Sequence, residues 1–124
     1  MHFDMEKLAE LIIDSLDDTL LNPKYKILKN RNNLTGHCYI ATEALYYLID
    51  DNEKINYTPA RIAINGINHW VLVNKTTNVI YDITKDQFEF PIDYSKIRKC
   101  WFLTKNPSKR TLILLNRIYE KIGY

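Results

Sequence analysis

Cys38, His69 and Asp82 are the residues of this 124-residue chain whose types and order suit nucleophilic chemistry. A thiolate can attack a carbonyl carbon, an imidazole can take up and return the proton, and a carboxylate can fix the imidazole's tautomer and orientation. Cys38 follows Gly36-His37 at the expected start of a helix, where unpaired backbone N–H groups and the helix dipole favour an anion. Taken singly, each residue has a plainer reading. A cysteine is ordinarily a small buried hydrophobe, a strand histidine a core or edge residue, and an aspartate before Thr84 and Asp86 a turn or capping residue. Agreement of chain order, element type and local spacing makes the three a candidate catalytic set.

The elements that must position them follow from periodicity. A helix is expected to open at Thr35 or Gly36 and to run through CYIATEALYYLIDD, with Cys38, Ala41, Leu45 and Leu48 on the core-facing stripe and Thr42 and Glu43 off it. PARIAIN, HWVLVN and VIYDI are short, rich in β-branched and aromatic residues, and separated by Gly66 and by Lys75-Thr76-Thr77-Asn78, which predicts three antiparallel strands. If residues 75 to 78 form the hairpin loop, Asn74 faces Val79 and Val71 faces Asp82. His69 then lies diagonal to Asp82 on one face, about 7 to 8 Å away between backbones. A slip of one residue would put them on opposite faces.

An oxyanion developing at the carbonyl needs donors, and the Cys38 backbone N–H is one candidate. The side-chain amide of Asn32 is a second and Asn33 its near-equal rival, although both also read as ordinary loop residues.

The remaining segments complete an α+β reading. Leu8, Leu11, Ile12, Leu16 and Leu20 recur at helical spacing from Asp4, a good N-cap, to Leu21, with Asn22-Pro23 as the stop. Residues 24 to 35 are polar and Asn-rich and read as a long connection. A short strand is expected around Lys99 to Leu103, then a last helix from Asn106-Pro107-Ser108 to about Lys121 with Leu112, Leu115, Ile118 and Ile122 inward. With 46% hydrophobic and 26% charged residues the chain is expected to form one domain over residues 1–124.

Composition also limits partners. The net charge of +2 is small, and it divides between an acidic first helix (Asp4, Glu6, Glu10, Asp14, Asp17, Asp18) and a basic C-terminal third. That third holds Lys96, Arg98, Lys99, Lys105, Lys109, Arg110, Arg117 and Lys121 against Asp93 and Glu120. The two faces are expected to attract each other; without an aromatic platform or a nucleic-acid motif, nucleic acid is the weakest candidate partner. No apolar run is long enough to span a membrane, and the start MHFDMEKLAE lacks the basic and apolar parts of a signal peptide. Cys38 and Cys100 are then expected as free thiols in the cytoplasm. His37, Cys38, His69 and Asp82 have no paired-ligand spacing, so neither a metal nor another cofactor is expected.

At these residues the chain resembles the papain-like and transglutaminase-like superfamily of cysteine enzymes. Closer phrases resemble small uncharacterised proteins of bacteria and their phages. They are Gly36-His37-Cys38-Tyr39 with Ala41-Thr42-Glu43-Ala44-Leu45-Tyr46, His69-Trp70, and Asp82-Ile83-Thr84 with Gln87-Phe88. Phe102-Leu103-Thr104-Lys105 with Pro107-Ser108-Lys109-Arg110 belongs to the same pattern. The resemblance implies a nucleophile helix packed on a small antiparallel sheet with flanking N- and C-terminal helices. It implies Cys38 as nucleophile, His69 as base, Asp82 as orienting carboxylate, and Asn32 where papain-like enzymes place an oxyanion glutamine. Gly36, His37, Trp70 and Gln87 would support the site. Glu43 has no counterpart role in the larger superfamily and reads as a structural hydrogen-bonding residue.

The implied activity is acyl chemistry on a protein, a peptide or a small amide or ester: hydrolysis, deamidation or acyl transfer through a thioester on Cys38. The alternative is a non-enzymatic protein that keeps the fold and binds a partner, for instance in a phage-host setting.

Overall fold

The structure is a computed structural model and describes residues 4–20, 37–64, 66–85, 88 and 90–123. Among these the chain forms three α-helices and a four-stranded antiparallel sheet, an α+β arrangement. Helix α1 is Met5–Ser15, α2 is Cys38–Leu48 and α3 is Lys109–Lys121. The strands are β1, Tyr57–Ile64; β2, Ile67–Asn74; β3, Ile80–Tyr81; and β4, Arg98–Lys99. Their order across the sheet is β3-β2-β1-β4. No helix among the described residues is long and apolar enough to cross a membrane.

Asp4 caps α1 by accepting from the Lys7 N–H at 2.8 Å. The helix ends at Ser15, six residues before Leu21, its expected last residue. Asp17 is the reason: its carboxylate accepts from both the backbone N–H and the hydroxyl of Thr19, which favours a separate 3-10 turn over Asp18–Leu20. Leu8, Leu11 and Ile12 from α1, Ala41, Ala44 and Leu45 from α2, and Leu114, Leu115 and Ile118 from α3 then close one core against Leu72 of the sheet. The expected attraction between the acidic and basic ends is present. Arg117 lies 3.1 Å from the Asp17 carboxylate and donates to the Ser15 carbonyl, while Lys121 donates to the carbonyl of Asp14.

Two helix faces differ from expectation. Thr42 and Glu43, placed off the buried stripe of α2, are themselves buried, because α2 is covered on one side by β2 and at Glu43 by the start of α3. In α3, Leu112 is 48% exposed and Thr111 is buried in its place. The helix is turned so that the Thr111 hydroxyl donates to Glu43 at 2.6 Å, with the Ser108 N–H donating to the same oxygen at 2.9 Å.

β4 is also shorter and earlier than the predicted stretch of residues 99 to 103. The ladder continues one bond further, from the Cys100 N–H to the Pro59 carbonyl, and the chain then leaves the sheet edge. Phe102 turns inward to stack on Trp70, and the Leu103 N–H donates to the Tyr39 hydroxyl.

Candidate active site

The β2–β3 turn determines whether the candidate residues can meet. The Asn74 side chain accepts from the N–H groups of Thr76 and Thr77, and Asn78 takes the left-handed conformation, φ 64°, that asparagine tolerates. The Asn74 N–H then donates to Val79 at 2.9 Å, with Val73 opposite Ile80 and Leu72 opposite Tyr81. This is the register that a loop of residues 75 to 78 requires. The ladder stops at Tyr81, one residue before Asp82, so the expected strand over residues 79 to 83 is shorter than its sequence suggests, but the same register carried one residue on puts Asp82 on the side of His69.

The side chains do meet. His69 Nε2 lies 2.8 Å from each carboxylate oxygen of Asp82, with the His69 and Asp82 side chains 1% and 3% exposed. Because Nε2 is directed at the carboxylate, Nδ1 is the ring atom left for the thiol. Burial alone would push the imidazolium of His69 down. The hydrogen bonds and charges of Asp82 and Cys38 more than offset burial and raise His69 from 6.5 to about 9.

Cys38 is the first residue of α2, with His37 as its N-cap. The His37 ring makes no capping bond; its Nε2 donates to the Asp17 carbonyl at 2.9 Å and ties the start of α2 to the segment after α1. Gly36, Asn32, Asn33 and Gln87, named from the sequence, lie outside the described residues.

A matching of helix and strand repeats brings Cys38 to His69. Asn74 bonds toward β3, and every second residue of an antiparallel strand points to the same edge, so the carbonyls of Leu72, Trp70 and Asn68 all face that edge. β3 ends after two residues, leaving the last two carbonyls open to α2. The Thr42 hydroxyl donates to Trp70 at 3.1 Å, and the Cys38 thiol lies 3.8 Å from the carbonyl of Asn68. Four helical residues rise about 6 Å and two strand residues about 6.6 Å, so positions i and i+4 of α2 fit carbonyls two residues apart on β2. The residue between those carbonyls is His69.

Trp70 is buried and packs with Cys38 and Phe102, and Tyr39 meets it edge-on at 5.0 Å. Cys100 is partly buried against this group, and both cysteines are free thiols. Phe88 covers His69 edge-on at 4.9 Å and in turn touches Phe90 at 5.5 Å.

Sequence reasoning missed Tyr94. It stands in a 3-10 turn, Tyr94–Lys96, and its hydroxyl donates to Asp82 Oδ2 at 2.8 Å. Burial and the adjacent Asp82 carboxylate push this phenol well above its ordinary value. Glu43, read as structural, takes that part: besides the start of α3 it accepts from the Tyr39 hydroxyl at 3.4 Å.

No known protein-family model matches the chain, and neither a curated protein nor a solved structure does so.

Proposed function

We propose that this chain is a cysteine-dependent acyl enzyme of the papain-like and transglutaminase-like kind, acting on an amide or ester with Cys38 as nucleophile. The reading is carried by one observation: a single buried imidazole, His69, is bonded to the Asp82 carboxylate at 2.8 Å and stands beside the thiol that opens α2, which lies 3.8 Å from the carbonyl of Asn68, the residue before His69. Either neighbour alone has a structural explanation, and the two around one ring have the order of a nucleophile, base and orienting group.

In the reaction so assigned, the Cys38 sulfur forms a bond to the substrate carbonyl carbon and the electron pair moves to oxygen. The Cys38 backbone N–H, a first-turn position with no intrahelical acceptor, faces the developing oxyanion. Collapse breaks the bond to nitrogen or oxygen, the imidazolium of His69 protonates that leaving group, and a thioester remains. Water or an amine then attacks the thioester and gives its proton to His69, and the thiolate departs. The product is an acid in the first case and a new amide in the second.

The test is the rate at which iodoacetamide alkylates Cys38 at neutral pH, read by peptide mass spectrometry with Cys100 as the internal reference. Wild type is expected to react faster at Cys38 than at Cys100, and His69→Ala to abolish that advantage. Equal, slow reaction at Cys38 in both proteins refutes the assignment.

A partner-binding role without catalysis is the second reading. It is favoured by the outward-facing Trp101, Leu103, Leu112 and Ile113, all at least 43% exposed. An unaltered Cys38 alkylation rate in His69→Ala would favour this reading.

A further inference from the structure

Asp82 is a buried carboxylate whose two oxygens share one imidazole, an arrangement that leaves its orientation and charge to be controlled from its other side. Tyr94 stands there.

The turn that carries Tyr94 is held independently of the site. Asp93 accepts from the Ser95 N–H at 3.0 Å and from the Ser95 hydroxyl at 2.6 Å, and Ile97 leads into β4, which pairs with β1. The Tyr94 ring and Ile97 pack against Ala60, Val71 and Val73. That is the face of the sheet to which His69 belongs by alternation. β3 and β4 lie at opposite edges, so the segment between them crosses this face and delivers the phenol over the sheet to the carboxylate. A tyrosine needed only for packing would not have to reach a buried charge; here it donates to Oδ2 at 2.8 Å.

We propose that Tyr94 is a positioning residue of the site: its hydroxyl fixes Asp82 and shares the carboxylate's charge, so that Asp82 holds the His69 proton loosely enough for it to pass to a leaving group. This rests on the acyl-enzyme reading above. A carboxylate with a second donor is a weaker acceptor toward the first, so the phenol tempers the attraction of Asp82 for the imidazolium. The titratable groups facing His69 are Asp82 and Cys38, with Tyr94 acting through Asp82. Burial and the carboxylate both keep the Tyr94 proton in place while His69 titrates, so the donor remains neutral throughout.

The experiment is an NMR titration of the His69 ring in wild type and in Tyr94→Phe, which keeps the packing ring and removes the hydroxyl. Wild-type His69 is expected to titrate near pH 9, and in Tyr94→Phe to titrate about half to one pH unit higher, as suits the loss of one donor to a charged acceptor. A structural tyrosine would leave that value unmoved. An unchanged or lowered His69 titration in a folded Tyr94→Phe overturns the proposal. A second reading needs no variant: the Cζ resonance of wild-type Tyr94 must stay that of a protonated phenol and must step as His69 titrates. A flat Tyr94 signal through that step overturns it equally. The two proposals fail separately, because the acyl-enzyme reading is lost on Cys38 alkylation and this one on His69 and Tyr94 resonances.

Discussion

Replacing Asp82 with asparagine keeps the size of the side chain and an acceptor for Nε2 but removes the charge. In wild type, burial works against the imidazolium, and Asp82 together with Cys38 overcomes it to hold His69 at about 9 rather than 6.5. That displacement corresponds to roughly 3 kcal/mol in favour of the charged ring, at about 1.4 kcal/mol for each tenfold change in proton affinity. Without the carboxylate, the hydrogen bond and charge of Cys38 alone must face the burial of a ring only 1% exposed. We expect burial to win and His69 to titrate at or below 6.5 in Asp82→Asn. At pH 7.5 wild type therefore carries a cation beside Cys38 and the variant a neutral ring. The assay is the same ring titration, joined to the alkylation rate of Cys38 at pH 7.5, which should fall about tenfold or more as the ring beside the sulfur loses its charge. A His69 that titrates near 9 in Asp82→Asn, or near 6.5 in wild type, would refute the reasoning.

The same bond has a stability counterpart that Cys38→Ala isolates. A folded-state value raised above the unfolded one means that the folded protein keeps a proton the unfolded chain releases. Stability from the His69–Asp82 pair is then complete below about pH 6.5 and lost as pH rises through the folded-state value. Urea denaturation of Cys38→Ala from pH 6 to 10 should show a fall of less than roughly 3 kcal/mol, since the part owed to Cys38 is gone; stability that rises over this range would contradict the pairing. At Glu43, alanine should destabilise the fold by about 2 to 4 kcal/mol, because the Ser108 N–H and the Thr111 hydroxyl lose a buried acceptor. Glu43→Gln keeps one acceptor oxygen and should lose about half as much by urea denaturation. Equal losses in the two variants would mean that the carboxylate's bonds are not what holds α3.

The parts of the site that were legible in the sequence rest on local rules. A four-residue turn between period-2 runs determines one register, and that register, carried one residue past the ladder, turns Asp82 to the side where it meets His69. The helical start at Cys38 rests on similar grounds, since the apolar repeat of α2 and its change to strand-like residues after Asn52 are visible without tertiary contacts. Where expectation and structure part, a long-range polar contact decides. Thr42, Glu43 and Thr111 look like surface residues by periodicity, yet each is buried because it bonds to a distant element: Thr42 to β2 across 28 residues and Glu43 to Thr111 across 68. The early end of α1 has a local cause, the Asp17 turn, hidden under an apolar repeat that runs on to Leu20.

Tyr94 belongs to a third class. It lies in a segment with neither helical nor strand periodicity, and it reaches Asp82 only because β4 pairs on the far edge of the sheet. Its place therefore depends on the whole strand order, the least local property of the fold. The same crossover carries Phe88, whose ring covers His69. The hairpin and α2 bring the reacting groups together, and the crossover supplies both the lateral donor to Asp82 and the apolar cover over the imidazole. Changes in the hairpin should thus alter whether Cys38 reacts at all, whereas changes in the crossover should alter the pH at which His69 holds its proton.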